Sequence, residues 1–152
     1  MKNNSIRFVL ALLTLVIGAS AEELLPKFLG VGFPVLLAAV PFFSLKRPVM
    51  LPVLYALAAG AMEDALSGLP LLTSASLFLI LTALSRWTHL PSLVAVFSYP
   101  VYQVWLCLWC SDLQGSIFTR CLLAIPVGAF AFAVVTAILL TVERRAGADE
   151  AG

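Results

Sequence analysis

Two neighbouring carboxylates, Glu63 and Asp64, stand near the middle of a stretch, 54–84, that is apolar at both ends. A Ser67-Gly68-Leu69-Pro70 break follows at once. Acids in an apolar setting could serve general acid/base work, a proton or cation relay, or an aspartyl hydrolase. Each of these needs a second group aimed at the same point. Adjacent helical residues diverge by about 100°, so Glu63 and Asp64 cannot face one partner equally well. No second buried ionisable group is visible in the sequence. At ~1.5 Å per residue the pair lies about 18–20 Å along a helix that begins at Leu51, toward one end. Two readings stay open. Either the carboxylates close a helix end, reaching headgroups or capping the next turn, or one is a buried polar contact that organises a bundle or binds a partner.

The remaining reactive side chains are sparse. Cys107-Leu108-Trp109-Cys110 forms a CxxC, and Cys121 lies across a polar loop. That spacing allows redox chemistry, or a Cys110–Cys121 disulfide in an oxidising compartment. The βαβ setting of a thioredoxin-like motif is absent, and small apolar packing is the favoured role. The cysteines and His89 make no metal set, and no cofactor is expected. P-loop, GxGxxG and HExxH motifs do not occur.

Positioning these groups falls to apolar helices. The chain has 152 residues, 62% hydrophobic and 11% charged, with a mean hydropathy of +1.06. A soluble domain would carry roughly 25% charged residues, so the composition reads as an integral membrane protein. The net charge of +1 comes from basic residues scattered at segment ends, which argues against nucleic acid. At roughly 20 residues per span, about five or six spans fit, with no room for a separate soluble domain.

The chain opens with a short basic stretch, Met1 to Arg7, and an apolar run. With Ala19-Ser20-Ala21 behind it this resembles a signal peptide, but a retained first helix from Ile6 to Leu25 is favoured. Further spans are expected at 28–45, 51–66, 71–85, 91–109 and 121–142, the second interrupted by Pro34 and Pro41. The third and fourth form a short helical hairpin around the SGLP turn. Residues 1–145 are expected as one transmembrane domain and 146–152 as a flexible polar tail. With both termini in the cytoplasm, the inside carries Lys2, Arg7, Lys46, Arg47, Arg86, Arg144 and Arg145, and the outside Lys27 and Arg120. This asymmetry satisfies the positive-inside rule. Glu22, Glu23 and Asp112 then fall outside. Small residues mark packing faces: Ala56-x-x-x-Gly60 on the third span, and Ala124-x-x-x-Gly128 and Ala129-x-x-x-Ala133-x-x-x-Ala137 on the sixth.

The run Val53-x6-Gly60-x-x-Glu63-Asp64-x-x-Ser67-Gly68-x-Pro70-Leu71, preceded by Pro34 and by Arg47-Pro48, resembles the rod-shape-determining protein family MreD. That family has a similar G-x-x-x-D-x-x-S-G-x-P-L-G run between two membrane helices. Three positions depart from it. Val35 stands where the family usually has Asp, Leu72 where it has the last glycine, and Glu63 is an added acid. The resemblance implies a non-enzymatic bacterial inner-membrane subunit, a compact bundle of six transmembrane helices. It would sit beside an MreC-like periplasmic scaffold and help couple cytoplasmic MreB filaments to peptidoglycan synthesis by RodA and its transpeptidase partner. Gly60, Glu63, Asp64, Ser67, Gly68 and Pro70 become structural or partner-docking candidates. The family's fold also looks like the substrate-binding subunits of energy-coupling-factor vitamin transporters, which supplies the alternative function. That alternative needs an A-x-x-x-A docking face on the first helix, and Ala11, Ala19 and Ala21 lack the spacing.

Overall fold

A computed structural model of the protein describes residues 2–29, 34–44, 49–88, 91–109 and 117–148. The described residues form six helices: α1 (Lys2–Leu29), α2 (Val35–Ser44), α3 (Met50–Ser67), α4 (Thr73–Thr88), α5 (Pro91–Trp109) and α6 (Ile117–Ala148). The fold is all-α.

The shortest helix is the centre. Leu36 to Ser44 of α2 are all buried, and α2 touches every other helix. Its sequence, VLLAAVPFFS, is apolar on all sides, and such a helix is stable only when surrounded. Phe43 packs on Tyr55 of α3 with ring centroids 4.5 Å apart. Ten residues make a rod of about 15 Å, so α2 is not the full span expected over 28–45. Phe28 belongs instead to α1, which continues through Glu22 and Glu23 to Leu29. Those acids lie on the first helix, within the 6–25 range expected for it, and the helix runs four residues further.

Around α2, α3 and α4 form the expected hairpin, and α5 packs extensively on α6. Glycine sets the closeness of the first pair. A Cβ on Gly60 would lie 2.3 Å from the Ala75 Cα, so the two backbones touch. Gly128 does the same for the second pair, where a Cβ would lie 2.8 Å from Tyr99 Cβ. Ala124 is buried with it, but Ala133 and Ala137 are exposed and Ala129 is half-buried. The packing seam of α6 runs instead through Ala124, Gly128, Ala131, Val135 and Leu139. Steps of three and four residues keep that line on one face, whereas uniform steps of four drift around the helix.

Successive helices run in opposite directions, which gives the bundle two ends. At the end holding the described termini, Arg7 Nε donates to Glu143 Oε1 at 3.2 Å and joins α1 to α6. Arg86 of α4 donates to the Ser44 carbonyl at 3.2 Å, closing the last turn of α2. Helix α6 runs on through Glu143 to Ala148. The α3–α4 turn forms the opposite, hairpin end.

Among the described residues one helical segment, Cys121–Arg145, is long and apolar enough by length and composition to cross a membrane. Large apolar side chains also face outward, among them Phe8, Leu12 and Ile17 on α1, Leu71 and Leu72 at the hairpin, and Leu123, Phe130 and Ile138 on α6.

Candidate functional site

The motif acids sit at the hairpin end, and one of them joins two helices by itself. Asp64 is buried in the last turns of α3, with 1% of its surface exposed. Its Oδ1 accepts the backbone N–H of Ser74, in the first turn of α4, at 2.7 Å. A helix start leaves unsatisfied N–H groups and a positive dipole end, and a carboxylate answers both. Its backbone carbonyl accepts the N–H groups of Gly68 and Leu69, which ends α3. Gly68 makes this possible at φ 66°, ψ 24°, a left-handed conformation that glycine adopts without steric cost.

The turn then needs a second left-handed residue. Thr73 N–H donates to the Pro70 carbonyl at 3.2 Å, with Leu71 and Leu72 between them. Leu72 has a φ of 74°, the sign this turn requires at its third position, where glycine is the usual occupant. Its side chain is exposed, so no packing accounts for leucine there. Trp105 of α5 donates from Nε1 to the Thr73 carbonyl at 3.1 Å and pins the start of α4 to a third helix.

Glu63 points elsewhere. Tyr102 of α5 donates to Glu63 Oε1 at 2.6 Å, and Ser67 reaches the same oxygen at 3.4 Å. The Tyr102 ring meets Phe78 edge-on at 6.2 Å. The two neighbouring acids thus serve different partners, as the helical divergence requires.

The expectation that no other buried acid accompanies this pair is overturned by Glu22. This α1 residue, read from the sequence as lying outside the membrane, folds against the bundle. Its Oε1 accepts the N–H of Leu36 at 2.7 Å, in the first turn of α2. Its carboxyl lies within electrostatic reach of that of Glu63. Glu22 therefore does for α2 what Asp64 does for α4. The signal in the sequence is Glu22-Glu23 at the same end of an apolar helix as Glu63-Asp64, each pair followed by a new helix.

Cys107 and Cys121 are half-buried free thiols. Cys121 Sγ lies 3.9 Å from the Pro100 carbonyl and joins α6 to α5. Cys110, and with it the expected Cys110–Cys121 disulfide, lies outside the described residues, as does His89. Gly60, Glu63, Asp64, Ser67, Gly68 and Pro70 gather at the hairpin, Gly60 at the helix contact and the others at or near the turn. The packing candidates on α6 lie on another part of the bundle. No protein-family model, curated protein or solved structure matches the chain.

Proposed function

We propose that the chain is a multi-pass membrane protein of the MreD type, a non-enzymatic subunit of the bacterial cell-elongation machinery. The observation that carries this reading is the backbone of Leu72. It holds a φ of 74° at the position where the family pattern has glycine. A leucine in the left-handed region is strained by about 1–2 kcal/mol, so this turn keeps a geometry for which glycine is the natural residue. Asp64 fits the same picture, because its carboxylate serves as a helix cap and its role is to shape the hairpin. The apolar side chains facing outward on α1 and α6 support burial in lipid. With the termini in the cytoplasm, the basic residues satisfy the positive-inside rule and the hairpin end faces the periplasm.

In this role the α3–α4 tip presents the exposed Leu66, Leu71 and Leu72 to an MreC-like scaffold. The helices would stand beside RodA and its transpeptidase partner. Two experiments test the reading. Depletion should turn rod-shaped cells round, and a tagged copy should recover the scaffold from solubilised membranes. Unchanged cell shape, or recovery of a tightly bound vitamin with a transporter energy-coupling module, would overturn it in favour of a vitamin-transporter subunit.

A further inference from the structure

The Arg7–Glu143 ion pair ties α1 to α6 at the end of the bundle that holds the described termini. Next to it a groove of about 190 Å³ runs between the two helices, bounded at its far end by Gly18 and by Val35 of α2. Its walls are aliphatic, with Leu10, Leu13 and Ile17 on α1 and Ile138 and Val142 on α6. All of these except Leu10 are exposed. The one hydroxyl in the lining, Thr14 Oγ1, donates to the Leu10 carbonyl at 2.7 Å and asks nothing of an occupant.

Size decides what can enter. From Leu10 to Ile17 the groove is about 10 Å long. One turn of a helix with its side chains, about 10 Å across and about 5.4 Å high, occupies about 400 Å³. A partner helix therefore lies over this groove and not in it, whereas a single hydrocarbon chain fits inside.

Charge decides what that chain is attached to. Both walls run into an arginine at the same end. On α1 the line 7, 10, 14, 17 puts Arg7 one turn before Leu10, and on α6 the line 135, 138, 142, 145 puts Arg145 one turn past Val142. Steps of three and four keep each line on one face. Among the described residues Glu143 is the opposing charge there, and Arg7 Nε donates to it. Arg145 is exposed, as is Arg144, which lies about 100° round the helix from it. A guanidinium matches the oxygens of a phosphate with paired N–H groups.

We propose that the α1–α6 groove holds one acyl chain of an anionic phospholipid, with Arg145 meeting its phosphate at the open end. The lipid then fills the gap between the first and last helices. This inference rests on the chain's lying in a membrane and not on the complex it serves.

Photolabelling of the full-length protein in phosphatidylcholine nanodiscs tests it, using as probe a trace of phosphatidylglycerol with a diazirine midway along one chain. Label should concentrate on residues 10–18 and 135–142 and spare the outward Leu123 and Phe130. Unlabelled phosphatidylglycerol should compete, and added phosphatidylcholine or glycerol phosphate should not. Arg145→Gln should weaken the labelling about fivefold, and Arg144→Gln distinctly less. Ile138→Trp should fill the groove and remove the label from α1; the unmodified protein carries the test if that variant misfolds. Even labelling of all outward faces, equal effects of the two arginine variants, or competition by phosphatidylcholine would overturn the proposal. Competition by glycerol phosphate would overturn it in favour of a free phosphate site, and cross-linking of a second chain over the groove in favour of a protein partner. A chain that fails to float with vesicles would overturn the membrane reading as well, whereas even labelling of an inserted chain would overturn this proposal alone.

Discussion

The Asp64 carboxylate of α3 accepts the backbone N–H of Ser74 in α4 at 2.7 Å, while its own carbonyl receives Gly68 and Leu69. One residue thus ends a helix with its main chain and begins the next with its side chain. Asp64→Asn keeps an acceptor and should be mild. Asp64→Leu strands the Ser74 N–H in the interior and should cost about 1–3 kcal/mol. Thermal unfolding in detergent, followed by circular dichroism, checks both. In the proposed role the leucine variant should still insert in the membrane but recover less scaffold on copurification.

Gly60 should tolerate no side chain. A methyl there would meet the backbone of Ala75 at 2.3–2.4 Å, and backbone cannot swing aside as a side-chain tip does. Gly60→Ala should destabilise by at least the 1–3 kcal/mol typical of overpacking, about the loss of the α3–α4 contact. Ala133→Val is the control, since Ala133 is exposed. Comparing the two variants' unfolding midpoints reads the difference.

The two left-handed residues of the turn should respond in opposite directions. Gly68→Ala adds a Cβ at φ 66° and should cost about 1 kcal/mol. Leu72→Gly relieves strain at φ 74°, on a side chain that packs little, and should be neutral or stabilising by up to about 1 kcal/mol. Parallel melting curves of the two variants would show the opposed shifts.

The Arg7–Glu143 pair should contribute modestly. Its side chains keep 25% and 20% of their surface exposed, so water weakens the attraction. A double-mutant cycle with Arg7→Gln and Glu143→Gln should give a coupling of about 0.2–1 kcal/mol. The charge-swapped double variant should recover most of what each reversal loses.

The hairpin was readable from the sequence because its signals are local. Apolar runs on both sides of Ser67-Gly68-Leu69-Pro70 place two helices and a turn, and the glycine marks where φ turns positive. Helix α5 was legible for the same reason. The part that escaped is non-local. Nothing near Glu22 shows that its carboxyl reaches α2, whose first turn lies thirteen residues further on at Val35. The run from Phe28 looked like one full span because apolar content does not reveal where a helix begins. The stripe Ala129, Ala133, Ala137 matched a packing pattern, but which face of α6 is buried depends on Tyr99 and its neighbours in α5.

The central helix has a consequence for how the protein is made. Glu22, which holds the first turn of α2, leaves the ribosome before it, but Arg86, which closes the last turn, is synthesised some forty residues after Ser44. The walls supplied by α5 and α6 come later still. During biogenesis the α2 segment therefore emerges before its enclosure, and as a helix of about 15 Å it is too short to settle across a bilayer alone. Its placement becomes a late step, completed only when the rest of the chain closes round it.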